Sequence, residues 1–394
     1  MKPELLAPAG DMESLDAALR FGADAVYVGG PMLQLRSASA GFALDDLARA
    51  VSLAHAQGKK LYITVNCFAK DSEFTDICLY VHQLKEIGVD AVIVSDLGAI
   101  ACIRQAEPHL AVHVSTQANC RNARAAEVYA SLGVKRIVLS REMTLEEIRV
   151  FSSRIPPELE IEAFVHGAMC MAYSGRCLIS SFLANRSGNR GECAQPCRWQ
   201  YQLMEEKRPG EYFPIEEAPE GTTILSSCDL NCLSFLDELK RAGVTSFKIE
   251  GRMKSAYYVA TVVNTYRRAI DQSAPIELLE EELKAVSHRP YSTGFYYGDP
   301  RQSTKKEAYI REKAFAAVVK DEQNGRVTVE QRTRFFEGDV LEVLSPSSFG
   351  LSFAVQNLRN EAGEPVSCAP HATEILTIDC PFPLKKGDIL RRRS

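Results

Sequence analysis

The length, composition and charge of the chain exclude several classes of protein. Its 394 residues, 46% of them hydrophobic, suffice for two or three domains or for one large α/β barrel with a small second domain. A formal net charge of −5 argues against a protein that coats nucleic acid through bulk positive charge. No apolar run approaches the roughly 20 residues that span a bilayer. We therefore expect neither a membrane nor DNA as a partner.

The cysteine content points to a reducing compartment. The chain contains 12 cysteines and opens with MKPELLAPAG, in which no basic stretch precedes an apolar one as in a secretory leader. We expect a cytoplasmic protein, in which clustered cysteines bind metal more often than they form disulfides.

Short apolar β runs alternate with amphipathic helices along the first three quarters of the chain. Asp11 is a plausible N-cap of the first helix, and Thr144-x-x-Glu147 has capping-box spacing. The β runs cover residues 4–7, 25–28, 61–65, 91–95, 111–114, 136–139, 161–165 and 246–249. Eight such runs predict an α/β fold, a (β/α)8 TIM-like barrel. A doubly wound open sheet is the alternative, but no G-x-G-x-x-G follows the first run.

The pattern changes near Ser303, where short strand-like runs are separated by turn signals such as Gln323-Asn324-Gly325. These runs cover residues 314–320, 326–331, 340–345, 354–358, 374–378 and 389–393. They predict a small C-terminal β-barrel domain. We therefore divide the chain into a barrel at residues 1–300, with a cysteine-rich insertion at about 166–232 after strand seven, and a second domain at residues 301–394.

Half of the cysteines are clustered in and after the insertion. Cys170, Cys177, Cys193 and Cys197 have the spacing C-x6-C-x15-C-x3-C, and Cys228 and Cys232 follow as C-x3-C. Thiolates bind zinc and iron–sulfur clusters, and the long, uneven gaps without any C-x2-C favour iron–sulfur over zinc or a structural role. We interpret the remaining cysteines as isolated buried residues: Cys67, Cys78, Cys102, Cys120, Cys368 and Cys380.

Polar residues at the carboxyl ends of the β runs are candidates for chemistry, because function in such barrels collects on the loops that follow the strands. His166 could act as a general acid or base or could be structural. Glu142 and Glu250 could move protons or could pair with Arg141 and Arg252. Asn66 lies at the end of the third run.

Two pairs of residues suggest ligand binding. Lys248 and Arg252 flank Glu250 at intervals of two, which suits an anionic carboxylate or phosphate. Arg198 beside Trp199 could stack on a nucleic-acid base or could cap a loop. The hydrolase signatures H-E-x-x-H and G-x-S-x-G are absent from the sequence.

Three stretches resemble the peptidase U32 family: ELLAPAG at residues 4–10, HGAMCMAYSGRCLISSFLANRSGNRGECAQPCRWQY at 166–201 and FKIEGRMKS at 247–255. The resemblance covers the barrel through about Asp299, and the C-terminal region resembles the small barrel appended in this family. Members were described as collagenase-like proteases. Others hydroxylate the wobble uridine of tRNA or a cytidine of ribosomal RNA, with prephenate as a possible cosubstrate, and a third branch hydroxylates a ubiquinone precursor.

The resemblance implies a [4Fe–4S] cluster and suggests its ligands. Cys170, Cys177 and Cys193 match the shared motif, and Cys197 fits the fourth position of the RNA-modifying members. Cys232 is the second choice, because the ubiquinone branch uses a cysteine in that region, although the run here is one residue longer.

The implied function is that of an iron–sulfur RNA-modifying enzyme that hydroxylates a pyrimidine, with tRNA or rRNA as substrate. The Arg198-Trp199 pair and the appended barrel resemble the tRNA branch, and prephenate would bind Lys248 and Arg252. The alternatives are a U32-type peptidase and a cluster-bearing subunit that acts with a protein partner.

Overall fold

The computed structural model describes residues 2–35, 41–170, 173, 175–199, 228–298 and 310–393. The first nine strands are β1 Glu4–Pro8, β2 Ala25–Gly29, β3 Lys60–Val65, β4 Ala91–Val94, β5 Ala111–Val114, β6 Arg136–Val138, β7 Glu160–Ala168, β8 Asp229–Asn231 and β9 Ser246–Ile249. All except β8 pair in parallel in the order β1 to β7 and then β9, and β9 pairs back to β1. The sheet is a closed barrel of eight parallel strands, so the fold prediction is confirmed.

The helices cover the outside of the barrel. They are α1 Met12–Arg20, α2 Leu44–His55, α3 Phe74–Ile87, α4 Leu97–Ala106, α5 Ala123–Ser131, α6 Leu145–Ser152, α7 Ile179–Ala184, α8 Leu236–Arg241, α9 Ala256–Ile270 and α10 Ile276–Leu283. The Asp11 side chain accepts from the Ser14 amide at 2.7 Å, and Thr144 and Glu147 form both halves of a capping box, as predicted. Within the described residues, no helix has the length and apolar character needed to cross a membrane.

The wall of the barrel is irregular at β7. This strand has nine residues, and its last three pair antiparallel with β8, which the sequence did not predict as a strand. β8 in turn pairs with β10, Tyr291–Ser292. Between β7 and β9, Phe164 is paired with Lys248 but His166 is paired with Ile249, so a β-bulge inserts one extra residue. Residues beyond the bulge therefore point to the opposite side of the wall.

The C-terminal part is built from antiparallel strands. They are β11 Lys313–Gln323, β12 Arg326–Gln331, β13 Phe335–Phe336, β14 Val340–Leu344, β15 Ser352–Ala354, β16 Gln356–Arg359, β17 Cys368–Ala369, β18 Ile375–Asp379 and β19 Ile389–Arg393. Seven of these form one sheet in the order β15-β14-β19-β11-β12-β18-β16. The two edge strands, β15 and β16, are separated only by Val355, so the sheet curls back on itself around its own apolar core.

The C-terminal domain packs on α9 and α10. The Arg268 guanidinium donates to the backbone carbonyls of Ser345, Pro346 and Ser348 at 2.7–3.1 Å. The rings of Tyr257 and Phe315 stack with centroids 5.2 Å apart. The buried guanidinium of Arg391 on β19 donates to Glu282 on α10 at 2.6 Å and so contributes to domain packing.

The cysteines outside the insertion are not all isolated and buried. Cys78 on α3 and Cys102 on α4 form a disulfide, which corrects the prediction for both residues. Their helices pack against each other, a proximity that the spacing of 24 residues in sequence does not reveal. Cys368 is only half-buried, whereas Cys67, Cys120 and Cys380 are buried as predicted.

Candidate active site

A polar cavity lies at the carboxyl ends of the barrel strands, where the sequence predicted function. Its lining contains five of the residues predicted from the strand ends, Asn66, Arg141, Lys248, Glu250 and Arg252, together with Ser115, Thr116 and Gln117 after β5. Six more residues come from the strands and an adjoining loop: Tyr27, Leu35, Thr64, Ile93, Val138 and Phe164. We call this space the mouth cavity.

The end of β9 and the residues that follow it supply three of the four charged side chains of the mouth cavity. Lys248, Glu250 and Arg252 all line it, as their spacing predicted. Arg252 is buried, and its guanidinium donates to the Thr64 hydroxyl at 2.6 Å. A side chain at Gly10 would overlap the Arg252 backbone carbonyl, so the first βα loop must carry glycine there.

The Lys248 side chain is held in place by a carboxylate and by two aromatic rings. Its ammonium donates to the carboxylate of Glu162 at 2.8 Å and lies 4.4 Å from the ring centre of Tyr27 and 5.5 Å from that of Phe164. Burial raises the pKa of Glu162, but Lys248 and Arg136 outweigh this effect and lower it overall, so the carboxylate is ionised. Sequence analysis missed Glu162, although a charged residue in an otherwise apolar strand was an available signal.

Asn66 and Arg141 shape the rim of the mouth cavity. The Asn66 amide oxygen accepts from the Leu35 backbone N–H at 3.1 Å. Arg141 donates to the Ala168 carbonyl at 3.1 Å and lies 5.4 Å from the ring centre of Phe164. Both side chains are thus held by neighbouring loops while they line the cavity.

Two residues predicted as acid–base candidates are not among the described residues that line the cavity. Glu142 is buried and accepts a hydrogen bond from the Ser140 hydroxyl. His166 follows the β-bulge and lies on the outer side of the wall, within 6.1 Å of the ring centres of Tyr258, Tyr266 and Tyr291.

The environment of His166 keeps its imidazole neutral. The side chain is only 1% exposed, and burial, with smaller contributions from His288 and Lys254, lowers its pKa to about 3. The Tyr266 hydroxyl oxygen lies 3.3 Å from Nδ1. The structure therefore places His166 as a buried member of an aromatic cluster.

A segment from the cysteine-rich region, Tyr173 together with residues 175–199, contacts the loops after β3 and β5. We call it the mouth segment. Arg190 pairs with Glu73 at 2.6 Å and donates to the Phe68 carbonyl, both after β3. Gly175 lies against the Gln117 backbone after β5. The mouth segment is thereby anchored beside the mouth cavity, which Gln117 lines.

The cysteines of this region differ in exposure. Cys170 is exposed, and Cys177, Cys193 and Cys197 are half-buried. Cys177 and Cys193 both contact the short 3-10 helix Gly188–Arg190: the Asn189 amide donates to the Cys177 carbonyl at 3.1 Å, and Cys193 Sγ would lie 3.7 Å from a Cβ at Gly188. Arg198 ends another 3-10 helix, Pro196–Arg198, and its side chain lies outside the described part of the structure.

Within the described ranges, the thiols of Cys170, Cys177, Cys193 and Cys197 do not form a metal-binding group. Among the described residues, no group of three or more Cys, His, Asp or Glu side chains could hold a metal ion. The side chains as placed therefore do not fit a four-thiolate site. Cys232 is fully buried, donates weakly to the Phe164 carbonyl, and has a thiol pKa raised well above its ordinary value by burial. The cluster and its ligands stay a prediction, and no reaction step is assigned to them.

Comparison with known families covers nearly the whole chain. The model of peptidase family U32 matches residues 10–306, and that of the peptidase family U32 C-terminal domain matches residues 311–391. The chain belongs to peptidase family U32. The resemblance inferred from the three sequence stretches is therefore confirmed.

Several relatives of this U32 chain have names that refer to RNA. It is 35% identical to tRNA hydroxylation protein P1 of Bacillus subtilis, over 99% of this chain and 95% of that protein. It is 34% identical to tRNA hydroxylation protein P of Escherichia coli, over 94% and 92% of the two chains. It is 38% identical to the 23S rRNA 5-hydroxycytidine C2501 synthase of Escherichia coli, over 73% of this chain and 42% of that one.

Proposed function

We propose that this U32 protein is an RNA-modifying enzyme that hydroxylates a pyrimidine base. Similarity to tRNA hydroxylation proteins over nearly their full length supports an RNA substrate. The finer proposal is C5 of the tRNA wobble uridine, with prephenate as cosubstrate. The observation that carries the proposal is the mouth cavity, where three cations, a carboxylate and neutral polar groups converge beside the mouth segment.

The mouth segment has the chemistry of a surface that binds single-stranded RNA. Residues 173–199 contain four arginines and one glutamate in a chain of net charge −5. Four large apolar or aromatic side chains of the segment are at least half or nearly half exposed: Tyr173 (52%), Leu178 (69%), Leu183 (50%) and Trp199 (44%). Exposed aromatic rings among arginines suit unpaired bases, which stack on rings while phosphates meet the guanidinium groups.

Nucleoside analysis tests the activity. Deleting the gene should remove 5-hydroxyuridine derivatives from tRNA, and the wild-type gene should restore them. A gene carrying Arg124→Met, at an exposed position on α5, should restore them equally. An unchanged nucleoside profile in the deletion strain would refute the proposal for wobble uridine, and loss of a hydroxycytidine from rRNA instead would move it to the rRNA substrate.

Trp199 provides a direct test of RNA binding, because it is the only tryptophan in the chain. An anticodon stem-loop should quench its fluorescence, whereas a duplex of the same length should not. Trp199→Ala should weaken stem-loop binding by about 1–3 kcal/mol, the usual value of one base–aromatic stack, and Trp199→Phe should weaken it less. Equal affinities of the three proteins in a filter-binding assay would show that Trp199 takes no part.

The predicted [4Fe–4S] cluster, with zinc as the alternative, belongs to this proposal as an expected cofactor. When bound it would supply one-electron chemistry that side chains lack. Iron and sulfide analysis of anaerobically purified protein tests it. A preparation that is active but contains no iron would refute the cluster.

No arrangement of the described side chains favours the peptidase alternative. Among the described residues that line the mouth cavity there is neither a histidine nor a cysteine, and His166 is buried on the far side of the wall. A cluster-bearing subunit with a protein partner is likewise an alternative without a specific observation in its favour.

A further inference from the structure

The interior of the barrel contains charged side chains that are unusual for this fold. Barrels of this kind are normally filled by layers of branched aliphatic residues. Here Arg136 and Lys248 are each 4% exposed, and Glu162 is completely buried. Together with Glu4 at the start of β1, they form what we call the charged column.

The charged column runs from the amino-terminal end of the barrel to the mouth cavity. One carboxylate oxygen of Glu162 accepts from Arg136 at 3.0 Å, and the other accepts from Lys248 at 2.8 Å. Arg136 also donates to Glu4 at 2.6 Å. Glu162 is therefore the link that joins the lower cation to the upper one.

Burying these charges is an energetically unfavourable way to stabilise the fold. Transferring each ion from water into the interior costs several kcal/mol, and well-packed apolar residues of similar size often stabilise a protein as well or better. The upper end of the charged column opens into a cavity rather than ending in the core, because Lys248 lines the mouth cavity with Arg252. The position of this end points to ligand binding.

Lys248 is held so that it can still bind a ligand. An ammonium group has three N–H donors, and one of them is directed to Glu162. The rings of Tyr27 and Phe164 lie beside the ammonium and restrict its position. These cation–π contacts are not conventional hydrogen bonds, so they do not use the remaining N–H donors of Lys248.

We propose that Glu162 is a positioning residue, which holds Lys248 under the mouth cavity so that Lys248 binds the anionic group of a small ligand there. Arg136 holds Glu162 in the same way from below. Glu162 itself does not touch the ligand. The inference rests on the proposed function only for the choice of a carboxylate cosubstrate such as prephenate. Inorganic phosphate has the same charge chemistry and provides a second probe.

Isothermal titration calorimetry with prephenate tests the proposal without RNA or turnover. Lys248→Met should weaken binding about tenfold or more, the value of one charge-assisted hydrogen bond, and Glu162→Gln should weaken it about tenfold. Lys248→Arg should retain part of the affinity. The matched control is Glu330→Gln, because Glu330 also contacts two cations, Lys320 and Arg332, but in the C-terminal sheet. This control should bind like wild type.

A double-mutant cycle separates positioning from general destabilisation. If Glu162 acts only through Lys248, the double variant should bind prephenate as weakly as Lys248→Met alone, whereas independent effects would add. If Glu162→Gln does not fold, Arg136→Lys tests the column from below and should weaken binding by a smaller factor.

Three outcomes would overturn the proposal: unchanged affinity in Lys248→Met, additive losses in the double variant, or no binding of either prephenate or phosphate by the wild type. Binding of phosphate but not of prephenate would support the positioning role of the charged column and would exclude prephenate as the ligand of Lys248. If the binding experiments contradict the role of Glu162 while RNA hydroxylation is intact, the proposed function still stands.

Discussion

His166 illustrates how a backbone irregularity decides the environment of one side chain. Sequence reasoning placed His166 at a strand end, next to the cysteines, and made it a candidate acid or base. Along a regular strand it would share the face of Glu162 and Phe164. The bulge between Phe164 and His166 reverses this alternation, and no local sequence signal marks it. Lys248, Glu250 and Arg252 were predictable as a group from their spacing of two, and all three line the mouth cavity.

The buried imidazole of His166 should make stability depend on pH. An unfolded histidine binds a proton near pH 6.5, but the folded pKa is lowered to about 3. Between these values the unfolded state binds more protons, so stability is lost as the pH falls below 6.5. From about pH 7 to about pH 5 the loss should be about 2 kcal/mol for this residue.

Urea unfolding of wild type and His166→Gln at the two pH values measures this contribution. The variant should lose less stability than wild type on acidification, by about 2 kcal/mol. Equal pH dependence of wild type and His166→Gln would contradict a buried neutral imidazole.

At the scale of elements, helices and long strands were easier to predict than short pairings. The eight parallel strands are signalled by apolar runs between helices with clear caps, such as that of α6. β8 was missed because it has three residues, two of them Asp229 and Asn231, and forms only by pairing with the long end of β7. The contact between α3 and α4 that brings Cys78 to Cys102 likewise arises from tertiary packing, which local sequence patterns do not reveal.

The anchoring of the mouth segment can be tested at Arg190. Arg190→Met removes the ion pair with Glu73 and the hydrogen bond to the Phe68 carbonyl. Partly exposed pairs contribute about 0.2–1 kcal/mol, so local opening of the segment should increase about two- to fivefold. Hydrogen exchange should show faster exchange in residues 175–199 and no change in the barrel strands.

Arg124→Met is the control for Arg190→Met, since Arg124 also pairs with a glutamate but is 90% exposed on α5. It should leave exchange in the mouth segment unchanged. Unaltered protection in Arg190→Met would mean that the segment is held by other contacts.

At the scale of the whole molecule, the sequence predicted a parallel barrel followed by short strands but not their relative placement. The change from alternating helices and strands to strands alone marks two kinds of architecture. The docking of one on the other includes contacts of single long side chains, such as Arg268 with its three carbonyl partners. Neither periodicity nor composition identifies which surface arginine of the barrel contacts the C-terminal domain.

Arg268→Met should loosen this docking. It leaves three backbone carbonyls without their charged donor, which we expect to destabilise the domain contact by about 2–4 kcal/mol. Scanning calorimetry should show the C-terminal domain unfolding at a lower temperature than the barrel. Lys284→Met, which removes an exposed pair with Glu281, should leave the thermogram as in wild type. A thermogram of Arg268→Met that matches wild type would contradict this role.

α9 connects the two ends of this molecule physically. Its Tyr258 hydroxyl donates to the carbonyl of Glu250 at 3.1 Å, at the mouth cavity, and its Tyr257 and Arg268 contact the C-terminal domain. A change in the orientation of that domain which carries α9 with it must displace Glu250 and the neighbouring Arg252. We therefore expect ligand affinity at the mouth cavity and the orientation of the C-terminal domain to be coupled, so that each biases the other.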